Sequence, residues 1–302
     1  MKRKERIAAL LLILFLLPSC AFCETVKLEE DIRKGGVALQ DECFLYNEGE
    51  ADPVGYEDPT ISVKLSRGRF METNYILAFV KIQDASQLRT AFSGAYNAKT
   101  TDAGATLARR MNAVLALNGD FYVNRRSGPI LVARQSRMYR NACNGTYDVL
   151  LIDASGDMHI LPKANKEDVE AFSGSIVQGL TFGPGLVIDG EFITGYVNND
   201  NAADKPAQRM ILCQTGELEY LVVAIEGPED PGSVGLDLEQ ATDLLRSIED
   251  VSIRNAYNLD GGSSTTLVFR KANSRYAKIN SPLNPKTRSL CDIVYFASAW
   301  QP

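Results

Sequence analysis

Two runs of small polar residues, each closing an apolar stretch, carry the strongest chemical signal in this 302-residue sequence. One is Leu117-Asn118-Gly119-Asp120-Phe121-Tyr122. The other is Asn258-Leu259-Asp260-Gly261-Gly262-Ser263-Ser264-Thr265-Thr266. Glycine lets the backbone turn sharply and lets a ligand come close. Successive backbone N–H groups in such turns form concavities that bind anions, and serine and threonine hydroxyls add donors. A carboxylate at a strand end, as Asp260 would be, has its direction fixed by a rigid element. Alone, Asn118-Gly119 reads as a tight turn, the strongest short hairpin signal. The second run holds far more small polar residues than the roughly two a tight turn requires, so it reads as a functional loop.

Several chemistries are excluded or weakened. His159 is the sole histidine, so a Ser-His-Asp or Cys-His site must use it. Its place beside a hairpin turn marks it as structural. Three-histidine and H-E-x-x-H zinc sites cannot be built, and neither a Walker phosphate loop nor a dinucleotide fingerprint is present. A net charge of −6 argues against nucleic acid as a partner, because a row of phosphates demands neutralising cations.

The elements that must position the two runs are mostly short strands. Ile61–Leu65 alternates, Tyr75–Ile82 is a strong strand candidate, and Ala113–Leu117 is a short buried strand leading into Asn118. Hairpins are expected around Asp153–Asp157, Asp189-Gly190 and Thr215-Gly216. Further strands are expected at Ala256–Leu259, Thr266–Arg270 and Leu290–Ala297. Short helices are expected at Ala85–Phe92 and Ala103–Met111. A longer helix at Leu238–Glu249 has Ala241, Leu244, Leu245 and Ile248 as its apolar stripe, with Asp237 and Gln240 as its N-terminal cap. Many strands, few helices and no strict βαβ alternation predict an α+β single domain with a mixed, mostly antiparallel sheet core and a few packed helices.

The N-terminus predicts export. Lys2, Arg3, Lys4 and Arg6 precede an apolar run from Ile7 to Leu17, then small residues, the pattern of an export signal. The run is about half the roughly 20 residues a spanning helix needs, so no transmembrane span is expected in the mature chain. Cleavage after Cys23 is favoured, and a lipid anchor on Cys20 is the alternative. The organisation read from the chain is an export signal over residues 1–23, an acidic, linker-like extension over 24–55, and one domain over 56–302. Export permits disulfides, and Cys43, Cys143, Cys213 and Cys291 allow three pairings. Cys213 and Cys291 lie in apolar runs, so buried thiols are the favoured reading.

Taken together in order, N-G-D-F-Y at Asn118, F-G-P-G-L-V-I-D-G-E at Phe182, Q-R-M-I-L around Arg209, the capped helix and N-L-D-G-G-S-S-T-T at Asn258 resemble the phosphodiester glycosidases. Asn280-Ser281-Pro282, Arg288 and Asp292 also fit. The resemblance runs from about Tyr56 to the C-terminus. That family includes an N-acetylglucosamine-1-phosphodiester α-N-acetylglucosaminidase and many bacterial exopolysaccharide-related members. It implies an exported hydrolase that cleaves the bond between a sugar anomeric carbon and a phosphodiester, on an envelope or host phosphoglycan. A phosphate-linked oxygen leaves readily, so the site must chiefly supply a cation and a carboxylate. The resemblance and residue chemistry assign Arg209 to the phosphate, because a guanidinium grips two oxygens at once. Asp260 is the first candidate carboxylate, Glu226 the second and Asp120 the third. Asn118, Gly119, Asn258, Gly261, Gly262, Ser264 and Thr266 would hold the substrate. No cofactor is required on this reading. A rival reading makes Asp120, Asp260 and Glu226 oxygen ligands of Ca²⁺ or Mg²⁺. Another makes the chain a non-catalytic glycan-binding or envelope-assembly module. The sequence departs from the family pattern at Ser263 (usually Gly), Gln208 and Met210 (usually Pro and Thr), Cys213 (often Gly) and Glu226 (often Asp). Sugar identity, metal dependence and oligomeric state are open at this level.

Overall fold

The computed structural model describes residues 27–120, 122, 127–196, 202–271, 275–281 and 288–302. The export signal, Cys20 and Phe121 lie outside the described residues, as does Pro282. Three antiparallel sheets form the chain. The first, nine-stranded, runs β1 (Phe44–Leu45), β2 (Gly55–Asp58), β3 (Ile61–Phe70), β4 (Thr73–Ile82), β15 (Glu219–Ile225), β14 (Arg209–Gly216), β16 (Asn255–Asn258), β12 (Gly185–Ile188), β13 (Glu191–Phe192). The second, five-stranded, runs β10 (Met158–Leu161), β9 (Val149–Asp153), β11 (Ile176–Leu180), β7 (Leu131–Arg134), β8 (Arg137–Asn141). The third, also five-stranded, runs β18 (Arg275–Lys278), β17 (Leu267–Lys271), β6 (Ala113–Asn118), β19 (Asp292–Ala297), β5 (Leu88–Phe92). Three helices are described: α1 (Gly104–Arg110), α2 (Lys166–Glu170) and α3 (Leu238–Arg246). The fold is α+β with a mostly antiparallel core.

All three sheets turn a face into one core. Ile76, Ala78 and Val80 of β4 meet Val222 of β15, Leu115 and Leu117 of β6, Phe296 of β19, and Leu150 and Ile152 of β9. The alternate residues of the first sheet, Leu77, Ile211, Leu221, Val223 and Ile225, pack under α3 through Ala241, Leu244 and Leu245. Helix α1 covers the outer face of the third sheet by setting Leu107 and Ala108 against Ala116, Ile293 and Tyr295. Strands buried on both faces read as continuous apolar runs, which is why Tyr75–Ile82 and Leu221–Ile225 lack alternation. The Asp237 carboxylate accepts from Gln240 N at 2.8 Å, and the Gln240 side chain returns the bond to Asp237 N at 3.1 Å, a full capping box.

Local expectations differ from the structure in three places. Ala85–Phe92 is not a helix. Residues Ala85–Gln87 form a single 3-10 turn, and Leu88–Phe92 pairs with β19 as the edge strand of the third sheet. Five consecutive buried side chains there, Leu88 to Phe92, gain more from two packed faces than a short helix gains from propensity. The α3 helix ends at Arg246, three residues early. The β14–β15 turn falls after Gly216, with Leu218 at φ 54°.

The segment before the main strands is tied down. Leu28 is buried, and Gly36 N donates to Met111 O at 2.9 Å. Buried Arg89 donates to the carbonyls of Glu29, Asp31 and Lys34 at 2.7, 3.2 and 3.2 Å. Strand β1 pairs with β2. Cys43, Cys143, Cys213 and Cys291 are buried thiols, with no disulfide between them. Among the described residues, no helix is long and apolar enough to cross a membrane.

Candidate active site

The two motifs meet. Strand β6 ends at Asn118 in the third sheet and β16 ends at Asn258 in the first, and Asp260 N donates to Gly119 O at 3.2 Å. Three buried asparagines fix the loop that follows. Asn118 donates from Nδ2 to Asp260 O at 2.6 Å and accepts from Thr266 N at 3.0 Å. Asn280 donates to Thr265 O at 3.0 Å and accepts from Leu267 N at 2.7 Å. Asn258 donates to Gly183 O at 2.8 Å, just before β12. An amide carries donors and an acceptor on one short side chain, so it can replace the strand ladder where the chain leaves it. Asn118-Gly119 is therefore a junction between sheets and not a hairpin turn.

The loop's own N–H groups are mostly satisfied. Gly261 N donates to Asp260 Oδ1 at 2.9 Å, and Gly262 N donates to Gln208 O at 2.9 Å. Ser264 and Thr265 N–H bond Gly261 and Gly262 carbonyls in one 3-10 turn over Gly262–Ser264. The open backbone nest expected from the sequence is thus largely closed on itself. Side-chain atoms remain instead. Asn258 Oδ1, Thr265 Oγ1 and Thr266 Oγ1 are buried and have no hydrogen-bond partner among the described residues. Buried polar atoms are nearly always partnered, so these three are where a ligand or ordered water has most to offer. Gly261 is required by space, since a Cβ there would sit 2.7 Å from Gln208 O. Gly262 is required by its φ of 59°.

The three candidate carboxylates have separate environments. Asp260 is half-buried, while Glu226 and Asp120 are buried. Glu226 accepts from Ser281 N at 2.9 Å, Ser233 Oγ at 3.2 Å and Asn74 Nδ2 at 3.3 Å, which ties the end of β15 to three segments. Asp120 accepts from Thr181 N at 2.9 Å and from Arg134 Nη2 at 3.1 Å. Among the described residues, no three His, Cys, Asp or Glu side chains are gathered to hold a metal. Arg209 is buried at the start of β14, next to Gln208. Its Nε donates to Leu236 O at 3.2 Å and its Nη2 to the carbonyls of Lys205 and Ala202 at 2.7 and 2.9 Å. Burial pushes its pKa down to about 10, and nearby Asp237 pulls the other way. These contacts make it the anchor of the 202–207 segment and of the residue before the α3 cap.

Two buried neighbours of Asp120 were not singled out as site residues from the sequence. Arg134, at the end of β7, and Asp292, opening β19, are both fully buried, and Arg134 Nη2 donates to Asp292 Oδ2 at 2.9 Å as well as to Asp120. Nη1 of the same guanidinium reaches Gly179 O and Ala133 O. Burial alone would lower the Arg134 pKa, but the two carboxylates outweigh it and hold the guanidinium charged. Asp292 is pushed up to about 7, first by burial and then by the charge of Asp120, against the pull of Arg134. A Cβ on Gly119 would lie 2.3 Å from Asp292 Oδ1, so the glycine of the N-G-D run exists to seat this carboxyl. The signal in the sequence was a charged residue closing the apolar run Ile130–Ala133, and an aspartate opening another.

The profile of the phosphodiester glycosidase family matches residues 111–297. No curated protein matches the chain. The chain is similar in structure to the catalytic domain of zebrafish N-acetylglucosamine-1-phosphodiester alpha-N-acetylglucosaminidase, there auto-inhibited by its pro-peptide. The TM-score is 0.62 at 15% identity, over 82% of this chain and 87% of that one. A Burkholderia pseudomallei protein aligns with TM-score 0.50 and 12% identity over 74% of each chain. At these identities the structural likeness speaks for the fold.

Two outcomes are expected. A carboxyl whose folded pKa lies near 7 against an ordinary 3.8 binds its proton more tightly in the folded state. Its stabilising contribution is full below about pH 4 and is lost as the pH rises through about 7. Denaturant melts of wild type and Asp292→Asn across that range should show this slope in wild type and its loss in the variant; parallel curves would refute the assignment. Arg209→Lys keeps the charge but cannot reach three carbonyls from one plane. Stability should fall by about 1–3 kcal/mol, the cost of leaving buried acceptors unpaired. Unchanged stability with weakened binding of a phosphate-bearing analogue would instead restore the phosphate-gripping role.

Proposed function

The chain belongs to the phosphodiester glycosidase family, and we propose that it hydrolyses the bond between a sugar's anomeric carbon and a phosphodiester oxygen, acting on an envelope or host phosphoglycan. The observation that carries this reading is the contrast in exposure among the acids. Asp260 alone of the three candidates is only partly buried, while Asp120 and Glu226 are buried and hold several donors. Asp260 is the group a substrate can meet, as base toward an attacking water or as nucleophile at the anomeric carbon. Its backbone is fixed on both sides by Asn118 Nδ2 and Gly119 O, the kind of support that catalytic geometry needs.

In this reading, the half-buried turn Gly261–Ser263 receives the phosphate, with Thr265 and Thr266 hydroxyls as donors and Asn258 Oδ1 as acceptor for a sugar hydroxyl. Buried Arg209 lies behind Gln208, whose carbonyl holds Gly262 N. It contributes positive potential through space and keeps the loop's support in place. A phosphate-linked oxygen leaves without a strong general acid, so the burial of Asp120 and Glu226 is compatible with turnover.

Release of free reducing sugar from a synthetic sugar-1-phosphodiester tests the reaction. Asp260→Asn keeps the shape of the side chain and removes its basicity. Activity should fall by about a hundredfold or more, the scale of a general base, with little change in melting temperature. Near-normal activity in that variant would pass the role to Glu226, to be measured as Glu226→Gln. Loss of both activity and fold would make Asp260 a turn residue. The basic head and short apolar run also lead us to place the protein outside the cytoplasm, starting after Cys23 or at a lipidated Cys20. Mass spectrometry of the native protein reads this directly, and an intact Met1 on a soluble protein would refute it.

A further inference from the structure

A cleft of about 920 Å³ opens beside the buried Asp120–Arg134–Asp292 group, and it has no role in the chemistry above. Its wall is aromatic. Phe92, Tyr96 and Tyr139 line it, and with buried Tyr122 they form one contiguous ring cluster, with centroid separations of 4.8 Å for Tyr96–Tyr139, 5.0 Å for Phe92–Tyr122 and 5.6 Å for the stacked pair Tyr96–Tyr122. The Arg137 guanidinium lies over the Tyr139 ring, 4.9 Å from its centroid. Tyr96 and Tyr139 are half-buried and Arg137 is exposed, so rings and guanidinium face the opening. The opposite wall is the segment Glu30–Arg33, which Arg89 pins by the carbonyls of Glu29, Asp31 and Lys34.

Among the described residues that line the cleft, acids and bases nearly balance. Glu30 and Asp31 stand against Arg33 and Arg137, with Asp31 and Arg33 paired at 2.8 Å. Arg134, the third cation of the lining, is offset by its own two carboxylates, Asp120 and Asp292. A cleft built for phosphate would keep an excess of cations. Rings with hydroxyl edges and flanking planar donors suit a ligand with an apolar face and a polar rim, which describes a neutral sugar ring. The size is that of a pocket for a small molecule or a short oligomer. The cleft also adjoins the candidate active site through the strand ends, since Phe92 pairs with Asp292 and Ile293 pairs with Asn118.

We infer that this cleft is a binding site for neutral sugar units, holding the glycan chain whose phosphorylated end lies at Asp260. The inference rests on the proposed function for what lies at Asp260, but its test needs no turnover. Chitotetraose, maltotetraose and mannotetraose are titrated separately into the full mature chain while the tyrosine side-chain NMR signals are followed. At least one should shift the Tyr96 and Tyr139 rings. The double variant Tyr96→Ala/Tyr139→Ala should weaken that sugar about tenfold or more, the scale of losing ring contacts. Arg137→Ala, at an exposed position, should weaken it without affecting the fold, and Asp260→Asn should bind as wild type does. No shift of these rings with any of the three sugars at about 10 mM, beyond the weakest affinities of interest, would overturn the inference. So would unchanged affinity in both the double variant and Arg137→Ala, or displacement of the sugar from these rings by inorganic phosphate. Ring shifts in a protein that releases no sugar from the phosphodiester would leave the cleft standing and remove the reaction. Turnover without ring shifts would do the reverse.

Discussion

Two buried carboxylates share one buried guanidinium, and that arrangement fixes where β6, β7 and β19 meet beside the candidate site. Charges taken out of water are costly unless paired and hydrogen-bonded. Arg134 meets most of the demand with Nη2 on Asp120 and Asp292 and Nη1 on backbone carbonyls, while its buried Nε has no partner among the described residues. Asp120 follows β6, Arg134 closes β7 and Asp292 opens β19, so the group joins the second and third sheets at one edge. Two acids and one base leave a surplus negative charge, which a proton on Asp292 relieves. Gly119 stands between this group and Asp260, with no space for a side chain toward Asp292 and its carbonyl bonded to the Asp260 amide.

From there outward, the work passes from charges to amides. Asn118, Asn258 and Asn280 are buried where strands end and the ladder can no longer satisfy the backbone. Asn118 bonds main-chain groups between the third sheet and the loop after β16, while Asn258 reaches Gly183 before β12 and Asn280 closes the start of β17. The 260–266 loop is therefore held by its own backbone bonds and by the asparagine side chains. What is left without a partner is a small set of side-chain atoms on the same loop.

The division of labour among the acids has a physical logic. A carboxylate that supports a fold is best fully bonded and dry, as Glu226 and Asp120 are. Asp260 differs from both in being only partly buried. Arg209 sets its planar donors on three carbonyls and so holds a segment of loop beside the candidate site. Of the departures from the family pattern, Met210 and Cys213 lie on β14 and Gln208 directly precedes it, and Cys213 packs into the apolar layer under α3.

The sequence by itself determined the periodic and local features. These were the strands with apolar periodicity or apolar runs, the capped helix at Asp237, the three hairpins, the buried thiols and the loop from Asn258 to Thr266. Each depends on residues close in the chain, whose pattern is visible without a partner. Ala85–Phe92 was misread because a short apolar run is ambiguous between helix and strand until a neighbouring strand is present to pair with it. The roles of Arg134, Asp292 and Asn280, the closure of the backbone nest, and the engagement of Arg209 were decided by tertiary structure alone. A hydrogen bond from Arg134 to Asp292 spans 158 residues of sequence, and no local pattern encodes which distant carboxylate a buried guanidinium will meet. Exposure has the same character. Asp120, Glu226 and Asp260 are equivalent as letters at strand ends, and only the packing of three sheets leaves one of them within reach of solvent.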